Sequence, residues 1–128
     1  MSDDVTRRAA IERYVQLSGR DPDLAHEIFA ADAMLEFPQS GERFTGRRTF
    51  LGWRRRYPAD VTFDLRRIVG SGDVWVAEAL VRYDGGDPHH GVSILEFRDG
   101  RVVRETIYGG PPWDAPDWRA PYRDGSAT

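Results

Sequence analysis

Residues 93–108 read SILEFRDGRVVRETIY. Asp99-Gly100 is a two-residue hairpin signal, because both central positions of a type I′ turn need positive φ and these two residue types tolerate it. Strand formers alternate on either side, so strands over about 91–97 and 101–109 meet at that turn. Two more strand patterns lie upstream, at about 61–69 and 74–83, and the intervening turns are SGD (71–73) and DGGDP (84–88). Turns this short between successive strands imply an antiparallel meander.

Upstream of the meander the signals are helical. Asp3 and Asp4 can cap a helix that runs to about Ser18 and stops at Gly19, with Ala10, Tyr14 and Leu17, flanked by Ile11 and Val15, as its apolar stripe. Asp21-Pro22-Asp23 starts a second, short helix carrying Leu24, Ile28 and Phe29. MLEF (34–37) reads as a brief strand ended by Pro38, and a third helix spans about 47–57 before Pro58. Helices followed by strands make an α+β fold, with the helices on one face of the sheet. At 128 residues the expectation is a single domain, 1–128, with an irregular Pro/Trp-rich tail from about 110. Trp113, Trp118 and Tyr122 on that tail are expected to pack on a pocket mouth or on a partner subunit.

Composition narrows the chemistry. The chain has no cysteine, so disulfides, thiolate metal sites and cysteine nucleophiles are excluded. All 18 basic residues are arginine, which removes lysine chemistry and is read as genomic base composition. A net charge of −3 leaves no basic excess for nucleic acid. The N-terminus MSDDVTRR is not a signal peptide, and the longest apolar run, Val74 to Val81, contains Glu78 and is too short for a membrane span. A cytoplasmic protein is expected.

Four stretches carry a family resemblance: IERYVQL (11–17), FAADAMLEFP (29–38), FTGRRTF (44–50) and SILEFRDGRVVRETIY. Their order and spacing resemble the SnoaL-like branch of the nuclear transport factor 2-like superfamily. The resemblance implies a strongly curved, mostly antiparallel sheet wrapped around a long helix as a cone-shaped α+β barrel. It also implies an apolar pocket at the wide end and a homodimer through the sheet. That fold serves ketosteroid isomerases, epoxide hydrolases, polyketide cyclases and non-catalytic binders, so the residues must decide. Tyr14 matches the oxyanion-binding tyrosine of the isomerases, whereas their base falls on Phe37 and their second acid on Leu95. Against the epoxide hydrolases, Glu78 matches one acid, the arginine falls on Val76, and Glu105 lies two residues from the position of the other acid, near Ile107. Against the cyclases, Glu105 is the nearest acid and the histidine falls near Gly91, beside His89 and His90.

The residues themselves give the same candidates. Glu78 alternates with Val76 and Leu80, and Glu105 shares a face with Val103 and Ile107. Were both strands to curve round one pocket, one of the two carboxyls would hold a proton near neutral pH, giving an acid and a base together. The opposite reading pairs each with an arginine, Arg82 or Arg104. Only one of His89 and His90 can enter the pocket, and metal binding has no supporting spacing. Tyr14 needs a partner for its hydroxyl, either a ligand, Glu105 or backbone. Trp53 and Tyr57 share a helix face and could wall the pocket, with Phe37, Ser93, Leu95 and Trp113, while Arg54, Arg55 and Arg56 read as a solvated charge run. The expected function is cofactor-free acid–base chemistry, of cyclase, isomerase or dehydratase type, on a compact apolar organic molecule. The alternatives are a non-catalytic binding or dimerisation module and an epoxide hydrolase-like enzyme.

Overall fold

The computed structural model describes residues 3–125. The elements follow in the order α1 (Asp3–Leu17), α2 (Pro22–Ala25), β1 (Phe29–Phe37), β2 (Glu42–Thr45), α3 (Arg47–Arg55), β3 (Val61–Ser71), β4 (Val74–Tyr83), β5 (His89–Arg98) and β6 (Arg101–Gly110). A 3₁₀ turn over His26–Ile28 follows α2, and another, Asp117–Tyr122, lies in the tail.

The six strands form one curved sheet in the order β2-β1-β6-β5-β4-β3. It is not closed, so β2 and β3 are edges and the architecture is an open cone rather than a complete barrel. β3 to β6 are the antiparallel meander, and the Asp99-Gly100 turn has φ of 52° and 80° at its centre. The sequence underestimates β1, which starts at Phe29 rather than near 34, and misses β2. Ala30 and Asp32 are poor strand formers; β1 forms there because β6 pairs with it in parallel, Phe29 opposite Val102 and Leu35 opposite Glu105.

The helices fill the concave face. Asp21 caps α2 by accepting from the Leu24 amide at 3.2 Å, and Pro22 occupies its first position. Asp3 and Asp4 lie in the first turn of α1, where Asp4 Oδ1 accepts from the Gly72 amide at 2.9 Å. From α1, Ile11, Tyr14 and Val15 join Phe29, Leu35, Phe50, Trp75, Leu95 and Val102 in the core. Gly70 sits where β3 crosses Trp75, with φ +148°. A Cβ there would lie 2.6 Å from the Val74 carbonyl oxygen and 2.8 Å from Trp75 Cα. Gly70→Ala should therefore lower stability by about 1–3 kcal/mol, read as a drop in the urea midpoint.

Candidate active site

A cavity of about 340 Å³ opens between α1, α3 and the concave sheet. Ala77, Ala79 and Val81 on β4, Gly91 and Ser93 on β5 and Phe63 on β3 form much of its sheet wall, facing Val15 on α1 and Tyr57. Five polar side chains meet at its inner end. Glu105 on β6 is completely buried. Its Oε1 accepts from the Tyr14 hydroxyl at 2.6 Å and its Oε2 from Ser93 Oγ at 2.7 Å. Arg54 Nη1 donates to Tyr14 Oη at 3.1 Å, and its Nη2 stands 3.9 Å from Glu105 Oε1. His26 Nε2 lies 2.8 Å from Arg54 Nη1, and its Nδ1 is 2.7 Å from the Pro22 carbonyl oxygen.

These contacts set the electrostatics. Burial and the adjacent Glu105 push the Tyr14 phenol well above its ordinary value, so it stays a hydrogen-bond donor. Burial opposes the charge on Arg54, yet the Tyr14 oxygen and Glu105 outweigh it and hold the guanidinium above its usual range. Burial, reinforced by Arg54, pushes His26 down to about 4, so the imidazole is neutral at pH 7. The cluster therefore carries one cation facing one carboxylate.

Of the residues singled out in the sequence, Tyr14, Tyr57, Ser93, Glu105 and Ile107 line this cavity. Leu95 is opposite Glu105 in the β5–β6 register and is a core residue. The others lie elsewhere. Glu78, Val76 and Leu80 are on the convex face of β4, because Ala77, Ala79 and Val81 take the concave one. Glu78 accepts from Arg67 at 2.6 Å and never meets Glu105, so the two-carboxylate pair expected from the strand pattern does not exist. The proposed arginine partners differ as well: Arg82 donates to the Gly86 carbonyl, and Arg104 contacts Glu36 and Glu96. A bulge at Val103, between the Phe97–Val102 and Glu96–Arg104 pairs, puts Val102 rather than Val103 on the buried side with Glu105.

His89 packs edge-on against Tyr83 and approaches the Asp87 carbonyl, while His90 is exposed; neither lines the cavity. Phe37 and Trp53 form an aromatic cluster with Phe44 that borders a separate, shallower groove. Trp113 is 86% exposed and lines nothing in the cavity, and Trp118 and Tyr122 are exposed too.

Two cavity residues escaped the sequence reading. Arg54 was hidden in a run of three arginines, although Phe50 and Arg54 are four apart on α3 and so share its buried side. His26 has no sequence signal at all; it is placed by the turn that ends α2. Among the described residues no cluster of histidine and acidic side chains could hold a metal ion, and no helix is long and apolar enough to cross a membrane.

This architecture recurs in solved structures. A Burkholderia xenovorans NTF-2-like protein of unknown function is 40% identical, with a TM-score of 0.85 over 91% of this chain and 92% of that one. A candidate ketosteroid isomerase from Kribbella flavida is 28% identical, with a TM-score of 0.86 over 100% and 95%. A candidate polyketide cyclase from Sinorhizobium meliloti is 26% identical, with a TM-score of 0.66 over 78% and 94%. No curated protein matches the chain. Residues 11–105 match the SnoaL-like domain, so the stretch from α1 to Glu105 is the family's own, and the chain belongs to the SnoaL-like family within the NTF2-like fold.

Proposed function

We propose that the cavity binds a compact, uncharged, largely apolar molecule bearing a carbonyl group and that Glu105 moves a proton on it. The observation that carries this reading is a buried carboxylate, held by two hydrogen-bond donors beside a guanidinium, at the inner end of a largely apolar cavity. Burying charged groups is costly, and such clusters in clefts concentrate at functional sites. Arg54 and Glu105 already balance each other, so a ligand carboxylate would meet Glu105 without a cation of its own. Glu105 takes a proton from the carbon beside the carbonyl, the electron pair moves onto the carbonyl oxygen, and an Arg54 N–H carries the developing charge. The carboxyl then returns the proton to the same or a conjugated carbon. Tyr14 and Ser93 keep the carboxylate oriented through one oxygen each, leaving lone pairs for the substrate.

The check is deuterium exchange. A small bicyclic enone in D₂O should lose its α-proton NMR signals faster with the protein than in buffer. Glu105→Gln should reduce that acceleration by about 10²-fold or more while still broadening the ligand's lines. Broadening without exchange in the wild type would instead mark a non-catalytic binding module.

The convex face supports a second part of the proposal, a homodimer. Val76, Leu80 and Ile94 lie there half-buried beside exposed Tyr108, and among the described residues no helix packs extensively on β4 or β5. Light scattering should give twice the 14.6 kDa chain mass, and Ile94→Arg should return the monomer.

A further inference from the structure

His26 has no part in the chemistry just described, yet it is 2% exposed and sits one contact from Arg54. We infer that His26 is the positioning residue of this site: its Nε2 lone pair holds the Arg54 guanidinium against Tyr14 and Glu105. The inference rests on the catalytic reading only for what that position is for; the contact itself does not.

The hydrogen bonds assign the ring. The Pro22 carbonyl can only accept, so Nδ1 carries the hydrogen and donates at 2.7 Å. A guanidinium can only donate, so Nε2, 2.8 Å from Arg54 Nη1, must present a lone pair. Lysine-like flexibility is absent because the ring is wedged among aromatics: Phe29 at 5.5 Å, Phe50 at 5.8 Å and Tyr14 at 6.1 Å between centroids. Nη1 is thus fixed between two acceptors, His26 Nε2 and Tyr14 Oη, and this fork sets where Nη2 lies relative to Glu105. The charged and titratable groups around the ring are Tyr14 on α1, Asp23 on α2, and Arg47 and Arg54 on α3. A proton added to Nε2 would replace the acceptor with a donor facing a guanidinium, and the fork would open.

Two substitutions separate the two ends of the ring. In His26→Gln the amide oxygen can reach the place of Nε2 and keep accepting from Arg54. In His26→Asn the amide can replace Nδ1 toward Pro22 but leaves Arg54 without its acceptor. The readout is the Arg54 Nη–H signals in ¹⁵N-edited NMR spectra of the ligand-free protein. They should be resolved in the wild type and in His26→Gln, and collapse by exchange in His26→Asn. Resolved signals in His26→Asn would overturn the inference. Should that variant not fold, acidifying the wild type decides: the Arg54 signals should collapse in step with titration of the His26 ring, and signals indifferent to it would overturn the inference. Enone exchange should fall about 10²-fold in His26→Asn and survive in His26→Gln. If the wild type shows no exchange at all, the catalytic reading fails, while the Nη signals still test the positioning.

Discussion

Arg54→Met should destabilise the protein by about 3–5 kcal/mol, the cost of leaving one member of a buried ion pair alone. Glu105 is wholly buried, and Arg54 is the cation beside it, 3.9 Å away; the removal also takes the donor from His26 Nε2. Methionine fills much of the space without supplying charge. The double variant Arg54→Met/Glu105→Gln should recover most of the loss, since a neutral amide can still accept from Tyr14 and donate to Ser93. Chemical denaturation of the four members of this cycle measures the coupling directly. Additive single effects would show that Arg54 does not serve as the counter-ion of Glu105.

The second large effect is acid sensitivity. His26 has a value of about 4 in the fold against 6.5 when free, chiefly because burial penalises the imidazolium. Between those two values the unfolded chain binds a proton that the folded chain refuses, so stability rises with pH there. The contribution is complete above about pH 6.5, is lost by about pH 4, and amounts to roughly 3 kcal/mol. His26→Gln removes the titrating group while keeping the acceptor. Its urea midpoint should change less between pH 7 and pH 4.5 than that of the wild type. Equal slopes for the two proteins would assign the acid loss to carboxylates instead.

The fold was legible because its signals are local. Asp99-Gly100 and the short turns of the meander dictate their neighbours' pairing, and Asp21-Pro22 starts α2 by itself. The site was legible only where a polar residue interrupts one strand face: Glu105, read beside Val103 and Ile107, meets Tyr14 from α1, though the bulge replaces Val103 with Val102 on that face. On β4 the same logic misplaced Glu78. VWVAEALV (74–81) is apolar on both faces, so alternation could not tell concave from convex. The structure makes the choice: Trp75, Ala77, Ala79 and Val81 take the inner face, packing in the core and lining the cavity, and Val76, Glu78 and Leu80 go outside. His26 and Arg54 came together through tertiary contact between α2 and α3, which no spacing in the sequence expresses.

The parallel pairing of β1 with β6 also bears on how the chain is made. Phe29 pairs with Val102, more than seventy residues further along the chain. At ribosomal speed β1 waits on the order of ten seconds for its neighbour to emerge. In that interval β1 and β2 can form one ribbon and β3, β4 and β5 another, each by local turns, but no strand pairing joins them. β6 is the central join of the sheet, and it also brings Glu105 to Tyr14. The sheet and the cluster at the inner end of the cavity are thus completed by the same last strand, and a nascent chain ending at residue 100 has neither.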